Sequence, residues 1–124
     1  MQTDKTILVA EAEHALSARL REFSTYKSYV LLRAGNLREM LLILQEEPVD
    51  VLVLDAGLLE EDYGFLSVIK GMKRGLPLIV CAERNTPELE SEIRRQPIFY
   101  YHINSFGMED LQVAISNAIN GLSN

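Results

Sequence analysis

Apolar residues recur along this chain in two alternating rhythms. Ile7-Leu8-Val9-Ala10 is a compact apolar run of strand type, and Leu16, Leu20 and Phe23 follow at helical spacing. Tyr29 to Leu32 reads as a second strand. Leu37, Met40, Leu41 and Leu44 then fall at i, i+3, i+4 and i+7, a helix face opened by Asn36 as its cap. Val49 to Leu54 is apolar apart from Asp50 and ends at Asp55. Gly57 to Asp62 is an acidic loop. Phe65, Leu66, Ile69 and Met72 mark a third helix face, stopped by Gly75 and Pro77. Leu78 to Ala82 is a strand. Thr86-Pro87-Glu88 opens a short charged helix, with Thr86 as cap and Pro87 at the first helical position. Ile98 to Ile103 is a strand, and Met108, Leu111, Ile115, Ala118, Ile119 and Leu122 form the last helical stripe.

Five strand-then-helix units in succession imply a parallel sheet covered by helices on both faces. The runs at 7–10, 51–54 and 78–82 are unbroken, as strands buried on both faces should be. No Pro- or Ser-rich linker and no solenoid repeat divides the chain, so residues 1–124 read as one domain. In open parallel sheets the functional site lies outside the carboxyl ends of the strands. The windows to watch are Glu11 to Glu13, Asp55 to Gly57, Cys81 to Glu83 and His102 to Ser105.

Composition narrows the function classes. The chain has 124 residues, 48% hydrophobic and 24% charged, an ordinary globular balance. Twelve Lys+Arg against eighteen Asp+Glu leave a formal charge of −6, which disfavours direct nucleic-acid binding through phosphate neutralisation. One cysteine, Cys81, excludes an internal disulfide framework, and with only His14 and His102 beside it a structural zinc is not expected. The longest apolar runs fall far short of the roughly 18 residues a membrane span needs, and residues 1–6, which carry an acid and lead into only four apolar residues, are too short for a secretory signal. The expectation is a soluble, cytoplasmic protein with no membrane contact.

The strand ends carry a specific resemblance. Ile7-Leu8-Val9-Ala10-Glu11-Ala12-Glu13, Val51-Leu52-Val53-Leu54-Asp55, Pro77-Leu78-Ile79-Val80-Cys81-Ala82 and Tyr101-His102-Ile103-Asn104-Ser105-Phe106 together resemble the receiver domain of two-component response regulators, over essentially the whole chain. The resemblance implies a doubly wound, flavodoxin-like (βα)5 fold with a five-stranded parallel sheet in the order 2-1-3-4-5. It implies a phosphoacceptor at Asp55, where a carboxylate attacks phosphorus to give an acyl phosphate. Phosphoryl transfer rests mostly on positioning and charge neutralisation. The family supplies these with Mg2+ held by an acidic pair after the first strand, a hydroxyl after the fourth and a lysine after the fifth.

Each of these helpers is altered in this sequence. The acidic pair reads Glu11-Ala12, leaving Glu11 and the nearby Glu13 as the acidic pocket. A metal would then be held by Glu11, Asp55 and the Gly57 carbonyl, weakly, since Mg2+ tolerates one or two carboxylates plus water. The hydroxyl position is Cys81, a poor donor. The lysine position is Asn104, whose neutral hydrogen bond has about half the strength of a charge-assisted one. Ser105 replaces the proline that follows the lysine, and Leu58-Leu59 replaces the usual Met-Pro step in a loop one residue longer before Gly64. The resemblance is therefore to an atypical, pseudo-receiver variant.

Each residue also has a plainer role. Asp55 could be a solvated acid at the sheet edge. Glu11 and Glu13 are most simply acids favouring the N-terminus of the first helix. Cys81 is most simply a small buried hydrophobe, with a redox role secondary. Tyr101 occupies the switch-aromatic position but equally reads as a half-buried strand aromatic. His102 falls on the alternate strand face, packed. Glu88 to Arg95 has only Leu89 and Ile93 as apolar anchors, and Leu42 and Ile43 either widen the buried stripe of the second helix or mark a contact patch.

The leading expectation is a signal-transduction module of a two-component or phosphorelay system, not an enzyme in the ordinary sense, working mainly by protein–protein contact. Its partners would be a histidine kinase, a downstream output protein or both. They would dock on the face made by the fourth helix, fifth strand and fifth helix, where Tyr100 and Phe106 add aromatic surface and where a homodimer could also form. The alternative is a competent Asp55 phosphoacceptor with a weakened Mg2+ site. A nucleotide- or flavin-binding domain is disfavoured because the loop Glu11-Ala12-Glu13-His14 would repel phosphate. A hydrolase is disfavoured because no Gly-x-Ser-x-Gly elbow exists.

Overall fold

A computed structural model describes residues 4–123; Met1, Gln2 and Thr3, part of the segment read above for a targeting signal, and Asn124 lie outside the described residues. In chain order the elements are β1 (Thr6–Ala10), α1 (Ala15–Lys27), β2 (Val30–Ala34), α2 (Leu37–Glu46), β3 (Val51–Asp55), α3 (Phe65–Met72), β4 (Leu78–Ala82), α4 (Pro87–Arg94), β5 (Tyr100–Ile103) and α5 (Glu109–Ile119). Single 3-10 turns, Ala56–Leu59 and Asn104–Phe106, follow β3 and β5.

The strands form one parallel five-stranded sheet in the order β2-β1-β3-β4-β5. Strand alternation divides the core into two layers. Leu8, Leu52, Leu54, Leu78, Val80 and Tyr101 face α2, α3 and α4, packing on Met40, Leu44, Leu66, Ile69 and Ile93. Ile7, Val9, Val51, Val53, Ile79 and Cys81 face α1 and α5, packing on Leu16, Leu20, Leu111, Ala114, Ile115 and Ala118. β1 and β4 are buried along their whole length, while the edge strand β2 is partly open. That pattern is why the central runs are continuous rather than alternating.

Local signals match their elements. Asn36 caps α2, its side chain accepting from the Glu39 amide at 2.8 Å, and Thr86 caps α4, accepting from the Leu89 amide at 3.1 Å, with Pro87 in the first turn. α1 ends at Ser28, left-handed at φ 60°; the Ser28 amide donates to the Thr25 carbonyl and the Tyr29 amide to the Ser24 carbonyl, a Schellman closure. That closure delays β2 to Val30, one residue later than the apolar run begins.

Two sequence expectations need correction. Met72 does not complete the buried face of α3; it is exposed at the helix end. Leu122 lies beyond α5, exposed, because the chain has already turned at Gly121 with φ 72°. On α2, Ile43 widens the buried stripe but Leu42 faces solvent. Among the described residues no helix is long and apolar enough to cross a membrane.

Candidate functional site

In the observed order, β1 and β3 are neighbours whose connections leave toward opposite sides of the sheet. A crevice therefore opens at their carboxyl ends. A cleft of about 470 Å³ occupies this place, lined by Glu11, Glu13, Asp55, Gly57 and Asn104 from the sequence reading, together with Glu83. No lysine or arginine is among the described residues that line it. An adjoining hollow of about 340 Å³ past Asp55 carries Glu60, Glu61 and Glu83 with one cation, Arg84. Glu60 and Glu61 there hold consecutive left-handed conformations, φ 48° and 69°, which turns the loop after β3.

Asp55 is the last residue of β3 and half-buried. Burial pushes its carboxyl pKa up from the ordinary value, and the negative charges of Glu11, Glu83 and Glu13 push the same way, against a hydrogen bond from the Gly57 backbone that lowers it. The site thus presents a carboxylate among carboxylates, with no cation among the described residues on the cleft wall.

Glu11 is 3% exposed. Its Oε1 accepts from the Leu16 amide and its Oε2 from the Ser17 amide, both at 2.8 Å. Both oxygens thus satisfy free donors of the first turn of α1, the helix-terminal role its charge suits. Glu13, read as part of the acidic pocket and as an acid favouring that terminus, is exposed on the cleft wall. With Glu11 so engaged, the residues fit a divalent ion poorly: Asp55 and the Gly57 backbone are left, and no group of three or more His, Cys, Asp or Glu side chains among the described residues could hold a metal.

Cys81 pairs in register with Asp55 but does not reach the cleft wall. It is 0% exposed, beneath the site in the α1/α5 layer. Burial, then the charges of Asp55 and Glu11, push its thiol pKa up, which favours the protonated thiol of a small buried hydrophobe. Asn104 lines the cleft, and its Oδ1 is buried without a hydrogen-bond partner among the described residues.

Tyr101 lies on the opposite face of the sheet from Cys81, buried in the α2–α4 layer. Its hydroxyl donates to Asn85 Oδ1 at 2.8 Å, Asn85 Nδ2 donates to Glu90 Oε1 at 2.7 Å, and Arg94 Nε donates to Glu90 Oε2 at 2.9 Å. The Arg94 guanidinium then sits 5.6 Å over the Tyr101 ring, closing the circuit. His102 is packed as expected, 1% exposed on the α1/α5 side, with Nε2 donating to the Gly107 carbonyl at 2.9 Å.

Two participants were not assigned from sequence. Glu83 fell in a strand-end window without a role. Arg33, on β2, reaches the loop after β1 from a neighbouring strand, a contact that no spacing along the chain reveals.

No protein-family model matches the chain, and no curated protein matches it. Solved structures do. A doubly wound parallel sheet of this order defines the flavodoxin-like class. Within that class the fold is that of response-regulator receiver domains of the CheY-like type. A receiver domain protein from Methanospirillum hungatei matches with a TM-score of 0.83 at 17% identity, over 96% of each chain. The beryllofluoride-activated NtrC4 receiver domain dimer matches at 0.82 and 20% identity, over 94% of this chain and 97% of that one. The isolated receiver domain of RcsB from Salmonella enterica serovar Typhimurium, solved with phosphomimetic BeF3-, matches at 0.82 and 17% identity, over 98% and 93%.

Proposed function

We propose that this chain is a receiver-type signalling module of a two-component or phosphorelay system whose phosphorylation site is degenerate and whose output is protein–protein contact. The observation that carries the reading is the cleft around Asp55, lined by Glu11, Glu13 and Glu83 and by no basic side chain among the described residues. An incoming phosphoryl group is anionic, and its transfer needs neutralising charge in place. Here the surrounding charge is of the wrong sign, Asn104 stands where a lysine would donate, and Cys81 is buried away from the wall.

The contact face would be α4–β5–α5. Its supports are the exposed Phe106 and Val113, the half-buried Tyr100, and the Tyr101–Asn85–Glu90–Arg94 circuit, which holds α4 against β5 without involving Cys81. The partners are a histidine kinase, an output protein, or a second copy of the chain; the NtrC4 receiver domain named above is a dimer. The module would not act as an enzyme.

The test is incubation of the purified chain with acetyl phosphate and Mg2+, read by intact mass. The proposal expects no phosphoryl adduct. An adduct on Asp55 that disappears in Asp55→Ala would overturn it in favour of a competent phosphoacceptor.

A further inference from the structure

The loop that would carry a receiver's metal-binding acids is organised here by a side chain from the adjacent strand. Arg33 Nη2 donates to the carbonyls of Glu11 at 2.9 Å, Ala12 at 3.1 Å and Glu13 at 3.1 Å. Its Nε lies 3.8 Å from Glu11 Oε2, and that Nε is buried with no hydrogen-bond partner among the described residues. Three backbone oxygens and one carboxylate oxygen thus surround one positive group. Oxygen donors of this kind are what a hard divalent cation takes. A guanidinium suits them because it is planar, always charged and presents several donors at once.

The sequence of the loop fits the exchange. Position 12 is Ala12, so Glu11 has no second acid beside it in that pair. The arginine offsets part of this buried carboxylate's charge from outside the cleft wall. The Glu11 oxygens are at the same time held by the Leu16 and Ser17 amides, so the arginine, the loop and the start of α1 form one connected unit.

We propose that Arg33, which stands outside the cleft wall, is the built-in cation of the loop behind that wall. It sets the 11–13 loop, and with it one wall of the Asp55 cleft, so that the site is shaped without a divalent ion and does not respond to divalent-ion concentration. The inference rests on reading that cleft as the receiver pocket.

The test is amide NMR of the full chain and of Arg33→Lys and Arg33→Ala, each with and without 10 mM Mg2+ or Ca2+. In the wild-type chain the amides of residues 11–17 and 55–57 should stay in place on adding either ion. In Arg33→Ala the amides of residues 11–17 should shift and broaden while those of β4 and α5 keep their positions. Arg33→Lys keeps the charge but not the fork, and should perturb the same amides less; it carries the test if Arg33→Ala does not fold. Saturable shifts at 11–17 or 55–57 in the wild-type chain at millimolar ion would overturn the inference, as would an undisturbed loop in the arginine variants. Phosphoryl uptake at Asp55 is a separate readout. It would sink the degenerate-site reading without touching the loop result.

Discussion

Asp55 carries its charge at a cost. Its pKa is raised, by burial first and then by Glu11, Glu83 and Glu13. A group whose folded pKa lies above the unfolded value stabilises the fold below that unfolded value and loses the contribution as pH rises through the folded pKa. Asp55→Asn should therefore raise Tm at pH 7, with the gain disappearing below about pH 3.8, where the carboxyl is protonated in both states. Thermal melts of both proteins across pH 3–8 check this; an Asp55→Asn chain less stable at pH 7 would refute it. His102 works in the opposite direction. Burial lowers its pKa from 6.5, with Arg19 adding to the effect and the Gly107 hydrogen bond and Asp110 opposing it. Its stability contribution is present above pH 6.5 and is lost as pH falls through the folded pKa, because the unfolded chain takes up the proton first. His102→Gln should flatten that acid limb of the stability curve. At this scale the sequence was only partly legible. Glu11's role at the start of α1 follows from a local charge beside a helix. The Arg33 contact and the Tyr101 circuit join residues 20–22 and 16 apart, which the chain's own periodicity does not encode.

Element existence was legible because two periodicities alternate without ambiguity, and because Asn36, Thr86 and Pro87 are strong local punctuation. Element ends were less so. The Schellman turn at Ser28 moves the start of β2, and the exposed Met72 and Leu122 look like stripe members until burial is known. The caps make measurable contributions. Thr86→Ala or Asn36→Ala should each cost about 1 kcal/mol, read by denaturant unfolding. Ser28→Gly should stabilise by about 0.5 kcal/mol, since it removes the side-chain penalty of a left-handed residue of about 1–2 kcal/mol against a larger unfolded-state entropy of about 0.5–1 kcal/mol. Asn85→Ala should open the circuit under α4 at about 1 kcal/mol and lower hydrogen-exchange protection in α4 more than in α5.

For the whole molecule, the sheet order and the location of the cleft follow from five βα units and the rule that sites lie at strand carboxyl ends. The chemistry of the cleft depends on which side chains reach its wall, and there Cys81 and Tyr101 turn out to lie elsewhere while Glu83 arrives. If output is contact through α4–β5–α5, replacing Phe106, 74% exposed, or Val113, 54% exposed, by serine should weaken self-association or partner capture while leaving stability within about 0.5 kcal/mol. The central claim is that the Asp55 cleft no longer works as a phosphoryl switch. Amide NMR of the chain titrated with Mg2+ and then beryllofluoride, a mimic of the aspartyl phosphate, tests it most directly. The account predicts that the amides of Asp55, Gly57, Glu83 and Asn104 stay unmoved at millimolar ligand. Shifts centred on those residues, propagating to α4 and β5 and lost in Asp55→Ala, would contradict it.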